Sequence, residues 1–383
     1  MALSRRAFVR TLGIGGAGAI SGALVAFRGR EALAGSPVDP SGAPSLPVDP
    51  NQIRLDSNEN PYGPGPVALD AIRAAFGEAS RYPDAPSVDL AAAIAQSHGV
   101  ADDHVVVGSG SGEVLRMAAF AFTSASRPLV AGAPTFEDPL RHAVVAGASV
   151  RAVPVGRELK LNLEGMAREA DGAGLVFLCN PNNPTATVHS ARAVADFVRM
   201  VNKTSPGTVI VVDEAYHHYV EDPSYATALP LALENPRVLV CRTFSKIYGM
   251  AGLRIGYAVG RPETLRALRR HRLPNSINVL GAAAAIAALD RKDHLTRHRQ
   301  LNHDVREMTR RALESMGFKV GRSEANFIMA DVRRDSKRFQ DDCRKLGVLV
   351  GRPFPPLMTH ARISIGTESE MQRAIEVFRK VLG

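Results

Sequence analysis

Six short apolar runs limit what this chain can fold into. Residues 104–107, 129–132, 150–155, 175–179, 209–213 and 237–241 are mostly Val, Leu and Ile, and Ala- and Arg-rich segments of helical character separate them. Runs without polar alternation are the mark of strands covered on both faces, and strands alternating with helices imply a largely parallel α/β sheet. Pro154, inside the third run, places its end at an irregularity or a sheet edge, because proline cannot donate to a ladder. Ligands of such sheets bind beyond the carboxyl ends of the strands. Four polar stretches fall there: residues 108–113, 180–185, 213–216 and the segment around Lys246.

That last segment runs Thr243-Phe-Ser-Lys-Ile-Tyr-Gly-Met-Ala-Gly-Leu-Arg-Ile-Gly-Tyr257. The run before it should bring the chain to a buried sheet edge. Gly249, Ala251, Gly252 and Gly256 let backbone pass close to something bulky. A lysine among small and apolar neighbours loses solvation, its pKa falls, and its amine becomes a usable nucleophile. Schiff-base chemistry with a carbonyl cofactor requires this. The competing reading is a surface loop bearing Lys246 and Arg254. The stretch Gly108-Ser-Gly-Ser-Gly-Glu113 joins a strand to a helix over 114–122, an arrangement whose free N–H groups favour an anion. Gly108 and Gly110 match a dinucleotide loop, but Glu113 stands where its third glycine belongs. A phosphate at Ser111 and the Gly112 amide remains open.

The first 34 residues read as a leader: Arg5, Arg6 and Phe8, a Gly- and Ala-rich apolar run, then Ala32-Leu-Ala34. The paired arginines resemble a twin-arginine export signal, with cleavage after Ala34, so the mature protein is expected outside the cytoplasm and in contact with membrane only during export. The leader carries +4 of the formal +9 charge; the +5 left, with few aromatics, does not suggest nucleic-acid binding. Three cysteines are no disulfide framework. His294 and His298 have a spacing that can bind zinc, but Leu295 replaces the glutamate of the metalloprotease pattern, so a solvated basic helix is expected and no metal. His217 and His218 read as structural or supporting residues. The organisation expected is a leader over 1–34, a linker and N-terminal arm over 35–65, a large domain over 66–275 and a smaller α+β domain over 276–383.

In order along the chain stand Asn58-Glu-Asn-Pro-Tyr-Gly63, Arg81-Tyr-Pro-Asp84, the Gly108 loop, Asn180-Pro-Asn-Asn-Pro-Thr185, Asp213-Glu-Ala-Tyr216, Ser245-Lys246 with Arg254, and Arg362. From about residue 50 onward the chain resembles the class I/II, fold type I, pyridoxal-phosphate-dependent aminotransferases, and among them it is most similar to histidinol-phosphate aminotransferases. The resemblance implies a large domain with a mostly parallel seven-stranded sheet plus a smaller α+β domain. It implies that Lys246 carries pyridoxal 5'-phosphate, that Asp213 faces the pyridine nitrogen, and that Asn183 and Tyr216 bond the ring hydroxyl. Ser111, Gly112, Ser245 and Arg254 would hold the phosphate, with Tyr82 reaching it from a second subunit of a homodimer. Arg362 would grip the substrate carboxylate, and Arg352 would be a distal substrate contact. The partners implied are an amino donor and a 2-oxo acid.

Each residue has a plainer role open to it: Asp213 as a helix cap, Asn183 as turn chemistry, Arg362 as a surface ion pair. Two departures bear on the site. Where the family usually has an aromatic that stacks on the cofactor, three residues after Phe136, this chain has Pro139. Either Phe136 substitutes or stacking is weaker. The usual Asn-Pro-Thr-Gly ending becomes Asn183-Pro-Thr-Ala186. A decarboxylase of the threonine-phosphate type and a non-catalytic binding protein are the alternatives. Retention of Lys246, Asp213 and Arg362 together argues against the second. Export argues against a histidine-biosynthetic role, which belongs in the cytoplasm, so another amino acid or amine is an equal candidate.

Overall fold

The computed structural model describes residues 52–156 and 158–383. The twin-arginine motif, the Ala34 cleavage site and most of the linker lie outside them. The described residues all fall in one compact unit, Pro47–Gly383. The strands, in chain order, are β1 (Ile53–Leu55), β2 (Val105–Ser109), β3 (Leu129–Ala133), β4 (Val150–Pro154), β5 (Leu175–Cys179) and β6 (Val209–Asp213). They continue with β7 (Val238–Thr243), β8 (Ile255–Gly260), β9 (Lys319–Val320), β10 (Phe327–Asp331), β11 (Val348–Val350) and β12 (His360–Ser364).

Seven strands form the main sheet in the order β2-β8-β7-β6-β5-β3-β4. The pairs from β7 across to β4 are parallel, while β8 runs antiparallel to β2 and β7. β4 is an edge strand and ends on Pro154, where no further neighbour needs its missing N–H. The run 237–241 does not sit at an edge. β8 covers its other side, so β7 is buried along its length. β8 is the strand that six apolar runs do not reveal, because Gly256, Ala258 and Gly260 dilute its pattern.

Helices cover both faces. One face packs Phe244, Tyr257 and Ile255 against the alanine-rich helix Val279–Ala288, whose Ala282, Ala284 and Ala285 are fully buried. The other packs Val176, Ile210 and Val212 against Phe197 and Val201 of the helix Ala191–Thr204. The helix expected over 114–122 begins earlier, as Gly110–Phe122, inside the glycine loop. The Glu113 carboxylate accepts from Ser109 N–H and from Leu273 N–H, so the residue that spoils the dinucleotide pattern ties this loop down.

A smaller sheet, β12-β10-β9, and the pair β1-β11 pack on the helices Lys292–Ser315, Ser336–Lys345 and Glu368–Leu382 around Phe339 and Phe378. The last of these helices starts at a capping box formed by Thr367 and Glu370. His298 is not solvated as expected. It is buried, its Nδ1 lies 2.7 Å from Asn60 Nδ2, and its ring lies against His294. His303 pairs with Glu221 at 2.8 Å. Among the described residues no helix is long and apolar enough to cross a membrane. β1 draws residues 56–60 across the ends of the main strands, where they form a strap.

Candidate active site

β5, β6 and β7 end side by side, and Asp213, at the end of β6, has Cys179 and Cys241 as its neighbours in register. Its carboxyl is buried and, among the described residues, accepts the Ala215 N–H alone, at 3.2 Å. Burial raises it to about 7 from its usual 3.8; the Ala215 N–H opposes this, Glu214 adds to it, and Lys246 opposes it. A buried carboxyl so poorly compensated calls for a cationic partner.

Lys246 lies just past β7. Its half-buried amine donates to Ser57 O at 3.3 Å and Asn58 O at 3.1 Å, and sits 5.6 Å from the centre of the Tyr216 ring. Burial, then repulsion from Arg362, lowers the amine to about 8. The desolvated lysine inferred from its small neighbours is therefore present, and much of its isolation comes from the strap above it.

Ser111 and Gly112 occupy the first turn of the helix Gly110–Phe122, where backbone N–H groups have no helical acceptor. Beside them, Arg254 Nη1 donates to Ser245 Oγ at 3.3 Å and to Ala251 O at 2.8 Å. Ser245 is held in turn by Thr243, whose hydroxyl donates to Ser245 Oγ at 2.9 Å. Glycine is needed where these elements meet. Gly110 has φ +73°, and a Cβ there would collide with the Arg254 guanidinium; a Cβ on Gly256 would collide with the Ser111 backbone. The outcome is a cup of free N–H groups, hydroxyls and one guanidinium, suited to a phosphate.

Arg362 projects from β12. It donates to Asn183 Oδ1 at 2.8 Å and to Asp56 O, while its Nε is buried without a partner. Its guanidinium lies 4.9 Å from the Phe354 ring and 5.8 Å from Phe327. Burial lowers it to about 10, so it stays cationic at neutral pH. Tyr216 is buried edge-on to Phe327, which pushes its phenol well up, and its hydroxyl accepts from Asn58 Nδ2 at 3.0 Å.

Lys246, Asp213, Tyr216, Asn183, Ser111, Gly112, Ser245, Arg254 and Arg362 thus line one cavity of about 380 Å³. Two expected residues do not. Tyr82 is 79% exposed, and Arg352 lies on an adjoining cavity of about 320 Å³. Phe136 lines both cavities, whereas Pro139 is buried in the helix Asp138–Val145, so of these two positions it is Phe136 that faces the Lys246 cavity. Asn58 appears in the sequence only as part of a motif, yet it is central here. Its carbonyl accepts from Lys246 and Asn326, its amide donates to Tyr216, and Ser364 Oγ bonds both its N–H and its Oδ1.

Residues 50–378 match the family of class I and II aminotransferases. The chain belongs to that family. It is a pyridoxal-phosphate-dependent aminotransferase. It is 39% identical to the histidinol-phosphate aminotransferase of Symbiobacterium thermophilum over 334 residues, 86% of this chain and 91% of that one. It is 35% identical to the aromatic amino acid aminotransferase of Thermobifida fusca, over 91% of this chain and 96% of the relative. The crystal structure of histidinol-phosphate aminotransferase from Sinorhizobium meliloti in complex with pyridoxal-5'-phosphate superposes with a TM-score of 0.81 at 29% identity, covering 86% of this chain and 90% of that one. The site fits the family's cofactor on its own terms. A phosphate cup, an amine close to neutral and a buried carboxyl lacking a cation are the three attachments such a molecule needs.

Proposed function

We propose that the protein takes an amino group from a donor whose acidic group seats on Arg362 and passes it to a 2-oxo acid, with histidinol phosphate and aromatic amino acids as the first donors to try. The observation that carries this is the shared cavity of Lys246 and Arg362, both bonded to backbone carbonyls of the 56–58 strap. Bound pyridoxal phosphate supplies an electron sink for the bonds at the donor Cα. Asp213 would hold a proton on the cofactor's ring nitrogen and in return have its buried charge compensated. Lys246, at about 8, is partly neutral near physiological pH, so it can take a proton from the donor Cα and hold it for return. Arg362 and Asn183 fix the donor's acidic group, and the charge on Arg362 favours keeping that group over losing it as CO₂.

The test is to load the purified protein with pyridoxal phosphate, record the band of the lysine-bound cofactor, and follow it with a donor panel. Formation of the oxo product is expected, a 2-oxo acid from an amino acid or an oxo phosphate from histidinol phosphate, and Lys246→Ala should lose both the band and at least ~10³-fold in rate. Release of CO₂ from an amino-acid donor in place of the oxo product would favour the decarboxylase; absence of any band would remove the enzymatic reading.

We further propose that residues 66–275 form the cofactor domain and 276–383 the small domain, that the leader directs twin-arginine export, and that the enzyme is a homodimer. Support for the dimer comes from the exposed Tyr82, with Val67, Leu69, Phe76 and Val88 exposed on neighbouring segments. For export, Arg5→Lys with Arg6→Lys should leave the protein in the cytoplasm; normal export of that variant would sink the proposal.

A further inference from the structure

The cavity adjoining the cofactor site is lined by Arg362 and Asn183 on its inner side and by Arg141 and Arg352 farther out. Two outer arginines look like a receptor for a second anion, but Glu137 already pairs with both. Arg141 Nη2 lies 2.6 Å from Glu137 Oε2, and Arg352 Nη2 lies 2.7 Å from the same oxygen. The Glu137 side chain is only 16% exposed. Arg352 is held from the other side by the Phe354 ring, 4.5 Å away, and Arg141 also reaches Asp138 Oδ1 at 3.3 Å. With Arg362 set aside, the charged side chains lining this cavity are Arg141 and Arg352 against Asp56, Glu137 and Asp138, a formal excess of one negative charge.

We propose that Glu137 is a specificity-determining residue: it fills the distal anion site from within, so the preferred substrate carries a neutral or cationic side chain rather than a second anion. This rests on Arg362 being the seat of the substrate's first acidic group. A distal carboxylate or phosphate would have to compete with Glu137 for Arg352, and it would lie beside that carboxylate and Asp138. Like charges brought together in a partly dry cleft disfavour that partner more than bulk solvent would, so the discrimination is built from repulsion. A ring meets no such penalty and finds Phe136 and Phe354 in the wall. A side-chain cation gains from the excess negative charge.

The test measures calorimetric dissociation constants of three unreactive ligands on the pyridoxal-phosphate-loaded protein: hexanoate, glutarate and 4-(trimethylammonio)butanoate. Wild type should bind glutarate at least ~10-fold more weakly than the other two. Glu137→Gln, of the same shape, should tighten glutarate at least fivefold and leave hexanoate within about twofold. Arg352→Met in the wild-type background should leave glutarate within about threefold, which keeps the proposal testable if Glu137→Gln folds poorly. Preferential glutarate binding by wild type, an unmoved ratio in Glu137→Gln, a tenfold loss of glutarate in Arg352→Met, or failure of all three ligands to bind would each overturn it. The readout needs no turnover. If the ligands bind as expected but no donor yields its oxo product, the transfer reading alone fails.

Discussion

At the scale of single residues, burial moves the ionisations of Asp213, Lys246, Tyr216 and Arg362 from their usual values. Asp213, raised to about 7 from 3.8, still holds a proton in the folded chain where the unfolded chain has released it. Its contribution to the stability of the cofactor-free protein is therefore lost as pH rises from about 4 through 7, and the cost is fully present at pH 8. Asp213→Asn should abolish that cost. Its cofactor-free Tm is expected to exceed wild type at pH 8 by an amount equivalent to a few kcal/mol and to approach it near pH 4, while transfer slows at least ~10²-fold. A Tm difference that does not shrink on acidification would contradict this. Lys246 and Asp213 are legible in sequence because they follow apolar runs at strand ends, and Arg254 and Arg362 through the ordered motifs that carry the family resemblance. Asn58 and Glu113 are not legible, because their partners Tyr216 and Leu273 lie 158 and 160 residues away.

At the scale of elements, the phosphate cup depends on β8 and the helix Gly110–Phe122 meeting at van der Waals distance. Gly256→Ala places a methyl against the Ser111 backbone, which cannot yield as a flexible side chain would. The variant should lose ~1–3 kcal/mol of stability and bind pyridoxal phosphate at least ~10-fold more weakly, read by thermal melts and cofactor titration. Unchanged cofactor affinity would show that the contact does not shape the cup. The Ala186 departure has a local account. Ala186 adopts φ 59°, the left-handed region where glycine is normally preferred, and its methyl is fully buried. The strain, ~1–2 kcal/mol, is largely offset by ~0.8 kcal/mol of methyl burial and by the smaller entropy loss of alanine relative to glycine. β8 escaped the sequence pattern for the same reason that it works: small residues on its face let the helix approach.

At the scale of the whole molecule, two cores hold the main sheet and a third holds the small lobe, and the strap 56–60 ties them at the active site. Asp56 O takes Arg362, Ser57 O and Asn58 O take Lys246, and Asn60 Nδ2 reaches Ile247 O. Behind the site Arg242 and Glu214 form a buried pair at 2.8 Å, with Thr227 and the Ala228 N–H completing the carboxylate. If Tyr82 completes the phosphate cup of a second subunit, inactive Tyr82→Ala and Lys246→Ala homodimers should regain activity when mixed and reassembled. Each hybrid would then hold one site with both residues intact, and activity up to about a quarter of wild type is expected from random pairing. No recovery, with hybrids shown to form, would place Tyr82 outside the shared site.

The sequence by itself determined the α/β class, the strand ends that carry chemistry, and the identity of the groups placed there. Apolar runs, glycines and reactive side chains act through neighbours a few residues away, so they can be read locally. The tertiary structure decided which groups face one another. It seated Phe136 rather than Pro139 at the cofactor cavity, stretched the strap over Lys246, and closed Glu137 onto Arg141 and onto Arg352, the residue expected as a distal substrate contact. Those outcomes depend on desolvation and on charges brought together by long-range packing, and neither quantity exists until the chain has folded.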